Sequence, residues 1–289
     1  MNEKIDVKER MKRAEEYFVK GFNCAQAVVA AYADLYGYTE EQALKMSAGM
    51  GGGMGRLRLT CGAVAGMAIL AGMECGSADA DDREGKSANY KVVQELVSRF
   101  QKIYGTIICS ELLQLKKDTP LTYVASERTE EYYKSRPCLN QVITCAKIFG
   151  EYLNEELIKK IVSDDYGIEV TNVNRINRGS ANIYNLDNKY ILKEFSSDRS
   201  KESIEKEYNI IKHLDNKGLL VPTYVGTKDN KCYTKYEGRI IILQIYLDGY
   251  TMENNTGDYE KVIESATILG RLTKALEDYP LESIYKKWA

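Results

Sequence analysis

The sequence predicts an α+β protein: an all-α, cysteine-rich helical bundle over residues 1–156, then an antiparallel β-sheet with one packed helix over residues 157–289. Three observations carry this. Up to about residue 155 apolar residues recur every three to four positions, the period of a helix with one buried face. Beyond about residue 165 the chain changes to short alternating runs bounded by Gly, Asn and Asp, the signature of half-buried strands and tight turns. Six of the seven cysteines precede that change. No repeat or low-complexity linker separates the halves, so the last helix of the first is expected to run almost directly into the second.

In chain order, residues 6–36 carry Val7, Met11, Ala14, Phe18, Ala25, Val28, Val29 and Tyr32 at helical spacing, with a break expected near Gly21. Further helices are expected over 61–73, 87–104, 110–116 and 137–157. Strands follow in IEVTNVNRI, ANIYNL, KYILKEF, PTYVGT, KCYTKY and RIIILQIYL. One helix, Ser200 to Asn216, falls between the third and fourth of these, and another spans Tyr259 to Leu276.

Composition narrows the function classes. With a net charge of −2 the chain has no overall attraction for nucleic acid or membrane surfaces. The charged start MNEKIDVKERMKR lacks the apolar core of a signal peptide. The longest apolar stretch, 63–73, is too short for a bilayer. The expectation is a cytoplasmic protein with no membrane insertion, in which seven cysteines serve redox or metal chemistry rather than structural disulfides. A single histidine, His213, excludes most His-based metal sites and Cys-His catalysis.

The glycine-rich stretch GMGGGMGRLRLTCGAVAG at 49–66 resembles a phosphate loop at first sight. It follows an expected helix, TEEQALKMSAG, instead of a strand, and fits neither GxGxxG nor the Gly-Lys-Ser/Thr ending. The better reading is a turn that presents Cys61, with Thr60 as the helix cap and Arg56 and Arg58 adding positive field. The same setting recurs. Cys24 follows Asn23, a good N-cap. Cys109 opens Ser110-Glu111-Leu112-Leu113, and Cys138 follows Pro137, a favoured residue at helix starts. Free N–H groups and the helix dipole at such starts stabilise a thiolate, the reactive form of cysteine. Cys24 and Cys61, each joined to a good cap, are expected to be the most acidic thiols. Cys75, Cys145 and Cys232 lack this setting. With no CxxC, any dithiol must form between helices; alternatively, four converging thiolates could hold zinc or an iron–sulfur cluster. The pairing stays open.

Residues 8–155 resemble the redox-active proteins named for their C_GCAxxG_C_C cysteine pattern. The resemblance rests on GFNCAQAV (21–28), GGGMGR (51–56), TCGAVAGMAILAG (60–72), the Cys109-Ser-Glu-Leu-Leu segment and Pro137-Cys138. It implies redox activity at Cys24, Cys61, Cys109 and Cys138, with an unidentified redox partner and no substrate. A homo-oligomer is among the states it leaves open.

From about residue 157 the chain resembles the N-terminal lobe of kinase-like phosphotransferases of the aminoglycoside phosphotransferase and spore-coat CotS type. By that resemblance, residues 175–182 with Gly179 and Ser180 would cover the phosphates of ATP. Lys193 in YILKEF would bind them, Glu207 would pair with Lys193, and residues 243–247 would form the hinge. Only residues 247–289 follow Tyr246, without the segments that carry the catalytic and metal-binding aspartates. His213-Leu214-Asp215 precedes the hinge and reads as a helix end. Thr273 stands where the helix 269–276 would carry a histidine. The lobe is therefore expected not to transfer phosphate by itself, but to be a truncated remnant or a regulatory or dimerising module.

Overall fold

The computed structural model describes residues 4–176, 181–249 and 257–280. The chain divides into two units, Met1–Glu156 and Leu157–Ala289.

The first unit is helical. In order it contains α1 (Val7–Val19), α2 (Cys24–Ala30), a 3-10 turn (Ala33–Tyr36), α3 (Glu40–Ser47), α4 (Gly62–Cys75), α5 (Arg83–Tyr104), the one-turn α6 (Cys109–Leu112), α7 (Glu130–Lys134) and α8 (Cys138–Ile161). The expected break at Gly21 is present: its φ is +105°, and α2 restarts at Cys24. Helix α5 begins four residues earlier than the apolar period suggests, because the Asp82 side chain accepts from Gly85 N and caps it there. The helix expected over 110–116 shrinks to α6, ending at Leu112.

The core is built around α2, whose residues Ala25, Ala27, Val28, Val29 and Ala30 are all buried. Small residues let α4 approach closely: a Cβ on Gly66 would lie 2.9 Å from Ala25 O and 3.1 Å from Val28 Cβ. Around this contact pack Phe18, Tyr32, Met67, Leu70, Leu96, Phe100 and Phe149. Tyr32 meets Phe149 edge-on at 5.1 Å and donates to Ala146 O at 2.6 Å, which satisfies its buried hydroxyl.

The second unit holds a five-stranded antiparallel sheet: β1 (Val173–Ile176), β2 (Asn182–Leu186), β3 (Tyr190–Glu194), β4 (Thr234–Tyr236) and β5 (Arg239–Ile245), in the order β1-β2-β3-β5-β4. The β2–β3 and β4–β5 loops place Asp187-Asn188 and Glu237-Gly238 at positive φ, the backbone that matches strand twist in a two-residue hairpin. One sheet face packs Leu186, Leu192, Ile241 and Leu243 against Val162 and Tyr166. The other packs Ile240 and Ile242 against Ile204 of α9 (Lys201–Asn216). Helix α10 (Tyr259–Leu276) follows. Two expected strands are corrected. PTYVGT contributes a single bridge, Tyr224 to Gln244, and β4 starts at Thr234, so Cys232 lies ahead of it. Around Tyr224 the pairing with β5 is confined to that bridge and two backbone bonds, Val225 N to Leu243 O at 2.8 Å and Ile245 N to Thr223 O at 2.9 Å. Among the described residues no helix is long and apolar enough to cross a membrane.

The α2–α4 contact is testable by a paired substitution. Gly66→Ala should destabilise by about 1–3 kcal/mol through overpacking. Gly72→Ala, in the same helix with nothing within 4 Å of its would-be Cβ, should stabilise by about 0.5–1 kcal/mol. Urea midpoints at constant m-value measure both.

Candidate functional site

The four cysteines at expected helix starts come together. Cys24, Cys61, Cys109 and Cys138 all line one cavity of about 380 Å³ in the first unit. Each is mounted differently.

Cys24 is the first residue of α2, fixed by a reciprocal cap. Asn23 Oδ1 accepts from Ala25 N and Gln26 N, and Gln26 Oε1 accepts from Asn23 N. Both capping side chains also donate outward, Asn23 Nδ2 to Ala48 O and Gln26 Nε2 to Leu44 O. The cap therefore ties the Cys24 mount to the end of α3. Cys61 corrects the expectation for Thr60. The cap of α4 is Cys61 itself, while Thr60 bridges Ile108 in a short antiparallel pairing. In that pairing Cys61 N donates to Ile107 O at 2.7 Å and Cys109 N donates to Leu59 O at 2.6 Å. Two cysteines far apart in the chain are so held on adjoining backbone. Cys109 then opens α6, and Cys138 opens α8 after Pro137.

The glycine loop makes this convergence sterically feasible. A Cβ on Gly51 would sit 2.3 Å from Asn23 Cγ, and one on Gly53 would sit 2.7 Å from Cys109 Cβ. The loop also winds left-handed, with positive φ at Gly52, Gly53, Met54, Gly55 and Arg56 in succession. For Met54 and Arg56 this costs on the order of 1–2 kcal/mol each, a local strain of the kind concentrated at functional sites.

Burial dominates the electrostatics of the four thiols, which are only 3–9% exposed. In setting their acidities Cys24 and Cys138 act on each other first, as hydrogen-bonding thiols. The Cys24 thiol, as donor, has its pKa raised well above the ordinary value, first by that bond and then by burial. The bond lowers Cys138 to about 7 against the penalty of burial, with Arg136, Arg128 and Arg58 adding to the fall. The first proton lost by this pair is therefore the one on Cys138 Sγ. Cys61 is pushed up to about 11 by burial, only partly offset by the Val64 and Ala63 amides at the start of α4. Burial also raises Cys109, although Arg58 Nη1 lies 3.9 Å from its sulfur. The expectation that Cys24 or Cys61 is the most acidic thiol is thus overturned in favour of Cys138. A helix cap is a local benefit, and desolvation together with a donated proton outweighs it.

Sequence reasoning missed several lining residues. Gln141, one turn after Cys138 on α8, is 2% exposed and takes a 3.8 Å contact from Cys61 Sγ. Arg128 and Arg136 flank Tyr132 at 4.4 and 4.7 Å. Only Arg136 carries a local signal, standing just before Pro137-Cys138; Arg128 has none. The other cysteines stay apart from the site. Cys75 ends α4 and accepts from Asn89, and Cys145 is fully buried in α8, its pKa raised well above the usual value by that burial. Cys232 packs beside Ile204 in the second unit. Among the described residues, no three Cys, His, Asp or Glu side chains stand close enough to hold a metal ion.

In the second unit, Lys193 lies on β3 between Ile183 of β2 and Ile242 of β5. The expected Lys193–Glu207 pair is not formed among the described residues. Glu207 instead accepts from Arg199 Nη2 at 2.8 Å and Tyr224 OH at 2.9 Å. Arg199, eight residues earlier and just ahead of α9, reaches the helix face that carries Glu207. Gly179 and Ser180 lie outside the described residues.

These features define, for the first unit, a class: a helical protein with four thiols gathered at helix starts around one cavity. Residues 22–152 match the model of the family described as "Putative redox-active protein (C_GCAxxG_C_C)", which supports that family for this part of the chain. No curated protein matches the chain.

The thiol order is testable by alkylation with a neutral reagent across pH, read by peptide mass. Cys138 should react first, its rate rising through pH 7, while Cys61 stays protected to near pH 11. Cys24→Ala removes the donor and should move the Cys138 inflection upward. Equal inflections near the ordinary thiol value would reject the arrangement.

Proposed function

We propose that the first unit is a dithiol–disulfide redox protein with Cys24 and Cys138 as the exchanging pair. The observation that carries the reading is that Cys24 and Cys138, at the starts of α2 and α8, line one cavity, where each acts on the other's acidity more than any other group does. It supplies a nucleophile near neutral pH and a second sulfur already beside it. The Cys138 thiolate attacks one sulfur of an oxidised partner. The partner's S–S bond breaks, its leaving thiolate takes up a proton, and a mixed disulfide remains. Cys24 gives up its proton, attacks Cys138 Sγ and expels the partner's second thiol. Two electrons pass to the partner, and the protein keeps one disulfide. Cys61 and Cys109 line the same cavity as a second, more firmly protonated couple.

Treatment with diamide followed by acid quench and peptide mapping tests this. A Cys24–Cys138 link should form, and it should vanish in Cys138→Ser. Oxidation of Cys75 or Cys145 while Cys24 and Cys138 stay reduced would sink the reading.

For residues 157–289 the strand order, with α9 between β3 and β4 and Lys193 on a central strand, favours a second reading: a phosphotransferase-like lobe that binds ATP. Because Glu207 is engaged elsewhere, Lys193 would meet the phosphates without that partner. Mg-ATP should raise the melting temperature, with about 2.7 kcal/mol of stabilisation at a hundredfold excess over Kd. Lys193→Ala should abolish the shift; no shift in the unmodified protein would reject ATP binding.

A further inference from the structure

The thiol cavity carries a charge pattern that thiol exchange alone does not require. Arg56, Arg58, Arg128 and Arg136 all line it, and among the described residues no Asp or Glu does. This concentration of positive charge sits in a protein whose net charge is −2. Two guanidinium atoms, Arg56 Nε and Arg128 Nη1, are buried without a hydrogen-bond partner. Buried donors are nearly always satisfied, so each points to an acceptor that a ligand supplies. The remaining contacts hold the forks in place. Arg56 Nη1 donates to Ser126 Oγ at 2.9 Å, and Arg128 Nη2 donates to Phe22 O at 3.1 Å. Burial, with Arg58 and Arg136 nearby, pulls Arg56 below its ordinary pKa, the mark of cations gathered without a counter-charge.

Size completes the argument. The cavity, about 380 Å³, falls within the range of small-molecule sites. The four cysteines inside are buried, 3–9% exposed, which favours a small molecule over a disulfide on the surface of a folded protein.

We infer that the oxidised partner of the Cys24–Cys138 pair is a small anionic disulfide whose carboxylates are held by the arginines around the cavity. This rests on the dithiol reading above. The planar guanidinium forks suit carboxylate oxygens, and they lie around the sulfur that attacks. The step is the exchange already written: the ligand's S–S bond is reduced to two thiols, and Cys24 and Cys138 are oxidised to one disulfide.

The test compares three small disulfides against the reduced protein: anionic dithiodiglycolate, neutral 2-hydroxyethyl disulfide and cationic cystamine. Each rate of Cys24–Cys138 oxidation is divided by the rate of the same disulfide with free 2-mercaptoethanol, which removes intrinsic reactivity. The expected result is a normalised preference for dithiodiglycolate over cystamine of at least tenfold, weakened by added salt. Arg136→Gln and, separately, Arg56→Gln should each cut that preference severalfold, and Arg136→Lys should restore part of it. Thiodipropionate, an anion with no S–S bond, should slow alkylation of Cys138 by iodoacetamide. Equal normalised rates for all three disulfides, or rates indifferent to both variants, would overturn the inference and leave the dithiol reading intact. Failure of the pair to form a disulfide with any of the three, and with diamide, would remove the dithiol reading and this inference with it. Faster oxidation by a protein disulfide than by dithiodiglycolate would also overturn it.

Discussion

The arrangement of the first unit depends on space that glycine leaves empty. Four helix starts cannot meet unless backbone passes very close to side chain, and here it does so where Gly51 faces Asn23 and Gly53 faces Cys109. Gly66 does the same between α4 and α2. Put a methyl group at these points and the capped start of α2, the α4 start and the paired segments carrying Cys61 and Cys109 would have to separate. The left-handed winding of residues 52–56 is the conformational cost of the same compaction.

On that geometry the chemistry follows from competition between burial and hydrogen bonding. Helix starts stabilise negative charge, yet three of the four thiols at such starts have raised pKa values, Cys61 and Cys109 chiefly because they are removed from water and Cys24 first through Cys138 and then through burial. The exception is Cys138, which gains a donated proton from Cys24. The asymmetry between two chemically identical side chains comes from which of them donates. Arginines at the cavity reinforce it by favouring the charged partner.

Much of this was legible in the sequence, and the limits have physical causes. The mixed class was readable because helical and strand periods occupy different halves. The four relevant cysteines stood out because caps are local: Asn23, Pro137 and the glycine turn sit within a few residues of the sulfur they present. What stayed hidden was set by distance in the chain. Nothing near Cys24 indicates Cys138 as its neighbour, and nothing near Arg128 indicates a thiol. The order of acidity was misread because a cap can be seen in a string of letters and desolvation cannot. Thr60 was misassigned for a related reason, since its bridge partner Ile108 belongs to a segment much later in the chain. In the second unit, Glu207 is matched to Lys193 by resemblance, while Arg199, just ahead of the same helix, and the Tyr224 hydroxyl take the carboxylate.

The contact between Cys24 and Cys138 also joins the second helix of the bundle to its last. A covalent link there would close a ring of 115 residues, Cys24 to Cys138, which the chain-entropy account values at about 5 kcal/mol of unfolding free energy. That is comparable to a large share of the total stability of an ordinary domain. The electron inventory of the surroundings would then be written into the lifetime of the fold, with the oxidised chain resisting heat and proteases that open the reduced one.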